Sequence, residues 1–300
     1  MQVLYALNRD KELSYQGALK AYRQSIRRAY DAYLYGLLLI GRTADYARIV
    51  KKKKLEKLRP TEADRTFSSK FATNDMTVAL LTNDEFNRQL ASRALLDKTD
   101  AETVRSLYHS FGKTEIYQAY LRNSKTTPAD DRQILLDLFK HLLQNELFHA
   151  KLDDLFPNWI DDDGHVNSAI KKTLKALPEP TATIQAQLPG HETVVEFGET
   201  LLHSVFHNDE ALAALIEPTL RNWDADRVAV MDMILLKMAL TELRTFETIP
   251  PKVTMNEFVE VSKQYSTDKS KDFINGVLDR LLKQLTEDGK IEKRGRGLLS

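Results

Sequence analysis

Two helices and a polar loop between them are predicted by residues 249–282, IPPKVTMNEFVEVSKQYSTDKSKDFINGVLDRLL. Pro250-Pro251 end any preceding helix, because proline fixes φ and disfavours helical backbone in the residue before it. Residues 266–268, Ser-Thr-Asp, interrupt the pattern and suit the cap of the second helix. One face of each helix is marked by the 3.6-residue period. Its members are Met255, Phe258, Val259 and Ser262, then Ile274, Val277, Leu278, Leu281, Leu282 and Leu285.

A glycine lies inside the second of these predicted helices, at Gly276. Mid-helix glycine costs about 1 kcal/mol relative to alanine, so this position calls for a reason. The simplest reason is the close approach of another backbone, and we expect one there.

Three motifs in the C-terminal third resemble those of one protein family. They are K-V-x-x-N-E at residues 252–257, F-I-N-G-V-L-D at 273–279, and LLKMALTEL at 235–243, which is similar to an LRxALxEL helix. In this order and spacing they resemble the C-terminal part of NusB, the bacterial transcription antitermination factor. The resemblance covers roughly residues 194–285, and MQVLYAL at residues 1–7 looks like the family's xQxLYA segment.

The fold class follows from a 3.6-residue hydrophobic period along most of the chain, with few prolines and glycines and no convincing period-two alternation. We predict an all-α protein in two lobes, a NusB-like helical bundle with an additional N-terminal helical module. The predicted domains are N-terminal helices at 1–50, an inserted helical module at 51–190 and a NusB-like C-terminal domain at 191–300. Residues 177–190 hold three of the nine prolines and are the predicted linker.

The inserted module shows internal repeats, and one long helix or a bent pair is predicted at residues 13–50. A shift of 31 aligns residues 107–121 with 138–152, and a shift of 64 aligns Asn158-Trp159 with Asn222-Trp223. Such repeats favour stacked helical hairpins that share a core. Chance similarity between amphipathic helices is the alternative.

Composition restricts the kind of protein. The 300 residues carry 43 basic and 43 acidic side chains and no cysteine, which fits a reducing compartment, and we expect a cytoplasmic protein. The longest strongly apolar run, residues 33–40, is too short to span a bilayer, so no membrane is expected as a partner. Basic residues are concentrated at 48–59, with seven positive charges against one negative, and at 290–296, with four against one. A solvated helix face or chain end is the alternative to a binding patch there.

The resemblance implies a non-catalytic RNA-binding adaptor in transcription antitermination and termination. NusB pairs with the ribosomal protein NusE on single-stranded boxA RNA during ribosomal RNA transcription, and it acts indirectly on the RNA polymerase elongation complex. No cofactor is implied. Family members occur as monomers and dimers, which leaves a homodimer open.

The predicted RNA-binding residues lie in two places. Lys269 and Lys271 offer charge for phosphates, and Phe273 offers a flat face for a base. The resemblance adds Gln2 and Tyr5 from the first helix. Core packing is the alternative for Phe273, and a solvated loop is the alternative for the lysines.

One residue is predicted to contact the protein partner. Asp232, in a helix predicted at residues 226–243, matches an acidic residue of the family's interface with the ribosomal protein. An ordinary exposed aspartate is the alternative.

In the family an arginine-rich stretch precedes xQxLYA, whereas this sequence begins at Met1 inside that helix. We therefore expect weak boxA binding by this chain alone.

Other functions are less well supported. Glu199, His203 and His207 share one helix face but lack the arrangement of a metal site, and Asp161-Asp162-Asp163-Gly164 departs from a calcium loop. There is no P-loop, GxGxxG or GxSxG motif. A ribosomal RNA methyltransferase module would need a Rossmann lobe after residue 285. A helical protein–protein interaction scaffold that has lost RNA binding is the main alternative, favoured by the zero net charge.

Overall fold

The computed structural model describes residues 1–157, 159–220, 228–267 and 269–298. These residues form helices and turns without a β-strand, so the all-α prediction is confirmed. None of the helices described is both long and apolar enough to cross a membrane. In chain order the α-helices are α1 (Gln2–Arg9), α2 (Tyr15–Leu55), α3 (Glu62–Arg65), α4 (Lys70–Thr73), α5 (Asp75–Leu81), α6 (Asp84–Ser92), α7 (Ala101–Gly112), α8 (Glu115–Arg122), α9 (Pro128–Leu142), α10 (Glu146–Leu155), α11 (Asp163–Ala176), α12 (Thr181–Ala186), α13 (Thr200–His207), α14 (Asp209–Ile216), α15 (Val230–Thr245), α16 (Pro251–Tyr265) and α17 (Ser270–Glu287).

The chain divides into two compact units. The first comprises residues 1–24 and 190–300, and the second comprises residues 25–189. Residues 25–50, grouped by sequence with the N-terminal helices, contribute to the core of the second unit. The domain limits 1–50, 51–190 and 191–300 stay a prediction.

The second unit is built around α2, which confirms the long helix predicted at residues 13–50. The apolar run 33–40 is almost fully buried here, which explains its composition without a membrane. Tyr33 Oη lies 2.7 Å from Thr173 Oγ1, so α11 packs directly against this run. Side-chain caps begin most of the surrounding helices, as expected for Thr, Asn and Asp at N-termini. The capping residues are Thr61, Asn74, Asn83, Asp100, Thr114, Thr127 and Asn145.

The predicted linker at residues 177–190 is largely part of the second unit. It contains α12, and Ile184 within it is fully buried. Pro180 occupies the N-cap of α12, where proline does not oppose a helix, so proline content misled the sequence analysis. The repeat with a shift of 31 pairs α8 with α10, which begin at residues 115 and 146. Asn158 and Asn222-Trp223 lie outside the described residues, so the shift of 64 stays a hypothesis.

The first unit centres on α15, which packs against α1, α13, α14, α16 and α17. A π-helical stretch, Glu192–Glu199, leads into α13. The predicted helix pair is confirmed as α16 and α17, and five of the six stripe residues of α17 are buried. Gly276 is exposed, however, and an added Cβ there would meet nothing within 4 Å. The expected close approach of another backbone at this glycine is therefore wrong.

Candidate nucleic-acid interface

A buried carboxylate holds the connection between α16 and α17. Asp232, in the first turn of α15, is only 5% exposed. Ser266 Oγ donates a hydrogen bond to Asp232 Oδ1 at 2.5 Å, and Ser270 Oγ donates one to Asp232 Oδ2 at 2.9 Å. A buried carboxylate is costly unless it is hydrogen-bonded, and these two hydroxyls supply that compensation.

The same serines organise the backbone of the connection, residues 266–271, which we call the lysine turn. The Thr267 amide donates to Ser270 Oγ at 3.2 Å, and the two serine hydroxyls lie 2.9 Å apart. The predicted interruption of the helix is confirmed, but no side-chain cap occurs at Lys269, the N-cap position of α17. Asp268, part of the predicted cap, lies outside the described residues. Through these two serines, Asp232 fixes the lysine turn to α15.

The two lysines of the turn point to solvent on either side of Ser270. Lys269 and Lys271 are both exposed. Neither forms an ion pair within the part of the chain that the structure describes. They lie at the start of an 18-residue helix, whose N-terminal amides add positive potential. This arrangement suits the binding of an anion such as a phosphate group.

Phe273 does not share that exposure. Its side chain is 6% exposed and belongs to the core of the first unit, together with Phe258 and Ile274. In this structure its ring presents no open face for a base, so the geometry favours the packing alternative. Its stacking role stays a prediction.

The N-terminal residues predicted to bind RNA are accessible but separate from the turn. Gln2 is exposed, and Tyr5 is 39% exposed. Their helix α1 is anchored by Leu4, which is 8% exposed in the core. No hydrogen bond, ion pair or ring contact joins Gln2 or Tyr5 to the lysine turn among the described residues.

Asp232 is not an ordinary exposed aspartate in this structure, and its contact with the protein partner stays a prediction. Both alternatives considered from the sequence assumed an accessible side chain, yet the carboxylate is enclosed beneath the turn. The sequence analysis placed Ser266 in the helix break and did not single out Ser270, and it linked neither serine to Asp232. The two serines lie on either side of a break in helical structure, so helical spacing could not have identified them.

Two further charged residues of α15 are buried, and each has an electrostatic explanation. Lys237 Nζ lies 2.6 Å from Asp209 Oδ1. Burial raises the pKa of Glu242, an effect that Lys293 opposes and Glu257 reinforces. The buried side of α15 therefore carries charged as well as apolar residues. For this reason the exposed face of α15 was hard to infer from the sequence.

A groove of about 420 Å³ lies beside α15 in the first unit. It includes partly exposed apolar side chains, Phe206 at 38% and Val230 at 40%. Its charged residues are Lys11, Asp209 and Lys237. The groove thus combines apolar and charged surface on the first unit.

The histidine pair considered as a metal site is an aromatic cluster. The rings of His203 and His207 stack at 4.0 Å between centroids, and Tyr15 packs edge-on against both. Glu199 instead pairs with Arg23 at 2.7 Å. Within the described residues, no group of three or more His, Asp or Glu side chains is arranged to hold a metal ion.

Comparison with known proteins identifies the family. The NusB family model matches residues 154–283, so the match starts about forty residues before the segment recognised from motifs. The transcription antitermination protein NusB of Salinibacter ruber is 39% identical over 118 residues, which are 39% of this chain and 74% of that protein. The NusB protein of Bacillus licheniformis is 37% identical over 107 residues, 36% of this chain and 82% of that protein.

A third relative matches over a smaller share of its length. The NusB protein of Chloroherpeton thalassium is 37% identical over 99 residues, 33% of this chain and 47% of that protein. No solved structure matches the chain. The lysine turn thus lies within the segment that matches the NusB family model. The chain belongs to the NusB family.

Proposed function

We propose that this protein is a transcription antitermination factor, an adaptor that binds boxA-type single-stranded RNA together with the ribosomal protein NusE. The observation that carries the proposal is the lysine turn, fixed by the buried Asp232 inside the segment that matches the family. Two exposed lysines on a fixed turn, which form no ion pair with any described residue, provide phosphate contacts without a large loss of conformational freedom on binding. The RNA polymerase elongation complex is reached through these partners.

The groove beside α15 supports a protein partner on the same unit. Its exposed Phe206 and Val230 provide apolar contact, and Asp209 and Lys11 provide charge for orientation. We propose this groove, rather than the buried Asp232, as the surface for the ribosomal protein. Phe206→Ser should weaken that complex in a calorimetric titration, and an unchanged Kd would place the partner elsewhere.

The RNA proposal is tested with a lysine-turn variant and a matched control. Lys269→Gln/Lys271→Gln removes the two exposed charges of the turn. Lys263→Gln/Lys283→Gln removes two charges from the same helix pair, but those lysines pair with Glu260 and Asp279. For a single-stranded RNA, loss of two phosphate contacts should flatten the slope of log K against log salt by about 1.4.

The titration uses a boxA-like oligonucleotide with and without the ribosomal partner, measured by fluorescence anisotropy. Binding that requires the partner, and that the lysine-turn variant weakens more than the control, is the expected result. Equal effects of the two variants would contradict the role of the turn. An absence of RNA binding with the partner present would favour the alternative, a helical scaffold that has lost RNA binding. Sedimentation of the same sample measures whether a homodimer forms.

A further inference from the structure

A concentration of basic residues lies in the second unit, at the end of α2. Between residues 48 and 65 there are eight basic and three acidic side chains. We call this segment the basic tip. Ala47 is the last fully buried residue of α2, and the helix continues for eight residues, about 12 Å, beyond it. Val50 still packs against the core of the second unit, but no residue of this extension is buried.

Hydrogen bonds and ion pairs to one buried aspartate hold the basic tip in a defined conformation. Asp64 is 3% exposed, and its carboxylate receives Lys54 Nζ at 3.0 Å and Lys57 Nζ at 2.9 Å. The same carboxylate accepts from the Thr61 amide and hydroxyl, at 3.1 and 2.9 Å, in a capping box. These bonds fold α3 back onto the end of α2 and hold the intervening loop.

Asp64 pairs with Lys54 and Lys57, but other basic residues of the tip do not pair with it. Lys53, Arg59 and Arg65 are exposed and form no ion pair in the described part of the chain. Lys52 is 3.8 Å from Glu56, at the outer limit of an ion pair. The basic tip, with eight basic and three acidic side chains, thus presents a net positive charge to solvent.

We propose that the basic tip binds the phosphate backbone of RNA, at a site separate from the lysine turn. Lysine and arginine side chains gain affinity for nucleic acid by releasing condensed counterions, without reading sequence. The choice of RNA as the polyanion rests on the proposed function. The basic tip would thereby give this chain, whose net charge is zero, a local positive surface for the RNA backbone.

Two other occupants fit the observations less well. Lys51 to Lys54 advance about 100° per residue, so they cover most of the helix circumference and leave no wide apolar face for a membrane. Protein–protein interfaces are depleted in lysine at their centres, whereas lysines dominate this patch. Three large apolar residues of the tip are exposed, Ile49 at 45%, Leu55 at 46% and Leu58 at 98%, and the basic side chains outnumber them eight to three.

The test compares two triple variants of the full chain. Lys53→Gln/Arg59→Gln/Arg65→Gln removes three exposed cations of the basic tip that form no ion pair among the described residues. Lys171→Gln/Lys172→Gln/Lys175→Gln removes three exposed charges from α11 in the same unit. These control positions flank Thr173, which contacts Tyr33, about 30 Å along α2 from Lys53.

Binding of a fluorescent 20-nucleotide poly(U) RNA is measured from 25 to 200 mM KCl. The basic-tip variant is expected to flatten the slope of log K against log salt by about 2, whereas the control changes it much less. Equal changes in both variants, or none in the tip variant, would overturn the proposal. The single variant Arg59→Gln, with an expected slope change of about 0.7, replaces the triple variant if circular dichroism shows that the latter is unfolded.

Vesicles of phosphatidylglycerol and phosphatidylcholine provide the competing arm. Tip-dependent binding to these vesicles, without a tip-dependent effect on RNA, would overturn the proposal in favour of a membrane.

The lysine-turn variant separates this inference from the proposed function. If that variant binds boxA RNA normally while the tip variant loses RNA affinity, the proposed role of the turn fails and the basic tip stands. The reverse result removes only the basic tip.

Discussion

The lysine turn and the basic tip both place a buried aspartate beneath a lysine-bearing loop, but the aspartates take different partners. Asp232 accepts hydrogen bonds from two serine hydroxyls, and among the described residues both lysines of its turn form no ion pair. Asp64 accepts two ammonium groups, so part of the local positive charge is neutralised in holding the loop. Hydroxyl partners thus preserve the positive charge that a phosphate would meet, whereas cationic partners add an electrostatic, pH-dependent support.

The lysine turn and the basic tip also differ in the exposure of their neighbouring apolar residues. Phe273 follows the lysine turn and is 6% exposed, whereas Leu58 lies within the basic tip and is 98% exposed. The turn is therefore attached to a hydrophobic core, and the tip depends on polar bonds. Four substitutions test this difference.

The largest effect is expected from Phe273→Ala. Removing a buried phenylalanine should lower the free energy of unfolding by about 3–5 kcal/mol, measured by urea denaturation. Phe273→Leu keeps much of the apolar volume and should retain wild-type RNA affinity. A folded Phe273→Leu protein with clearly weaker RNA binding would show that the ring contacts a base after all.

Asp232→Ala comes next. It leaves the hydroxyls of Ser266 and Ser270 without their acceptor, at a cost of about 2–3 kcal/mol, and it releases the lysine turn. RNA affinity should fall in parallel. Asp232→Asn retains an oxygen acceptor and serves as the control with a smaller loss. Equal stability of Asp232→Ala and the wild type would mean that the turn does not depend on this carboxylate.

Asp64→Asn should have a smaller effect, and one that depends on pH. Lys57 and Lys54 lower the pKa of Asp64 below its ordinary value, with help from Thr61. A group whose pKa is lowered by folding stabilises the fold above its unfolded pKa and loses that contribution as the pH falls. The variant should be less stable than wild type at pH 7, and the gap should narrow below about pH 4. A gap that is constant between pH 7 and pH 3 would rule out ion pairing as its cause.

Leu58→Ser should have the smallest effect. A fully solvated side chain contributes little to folding, so the free energy of unfolding should change by less than about 0.5 kcal/mol. RNA affinity should also be unchanged if the basic tip acts through phosphates. A tenfold loss of affinity would indicate that Leu58 makes an apolar contact with the bound partner.

Much of the fold could be predicted because helical periodicity is local. The stripe of α17 and the long helix α2 are visible within a short window of sequence, and both are confirmed. Residues 177–190 were misread because proline content alone does not distinguish a linker from a helix N-terminus. Prolines mark where a helix can begin as well as where one ends.

The site was less predictable because its organising bonds join distant residues. Asp232 is 34 and 38 positions away from Ser266 and Ser270, and no local pattern links them. The lysines of the turn could be singled out by charge and by resemblance, but the burial of Phe273 could not be decided from spacing. An apolar residue at the start of a helix faces the core or the solvent according to its tertiary neighbours.

The open position at Gly276 has a practical consequence. The chain contains no cysteine, so Gly276→Cys would introduce a unique thiol where a side chain meets no neighbour. This thiol would lie five residues, about 7 Å along the helix axis, from Lys271. A fluorophore or spin label attached there would report directly on what approaches the lysine turn.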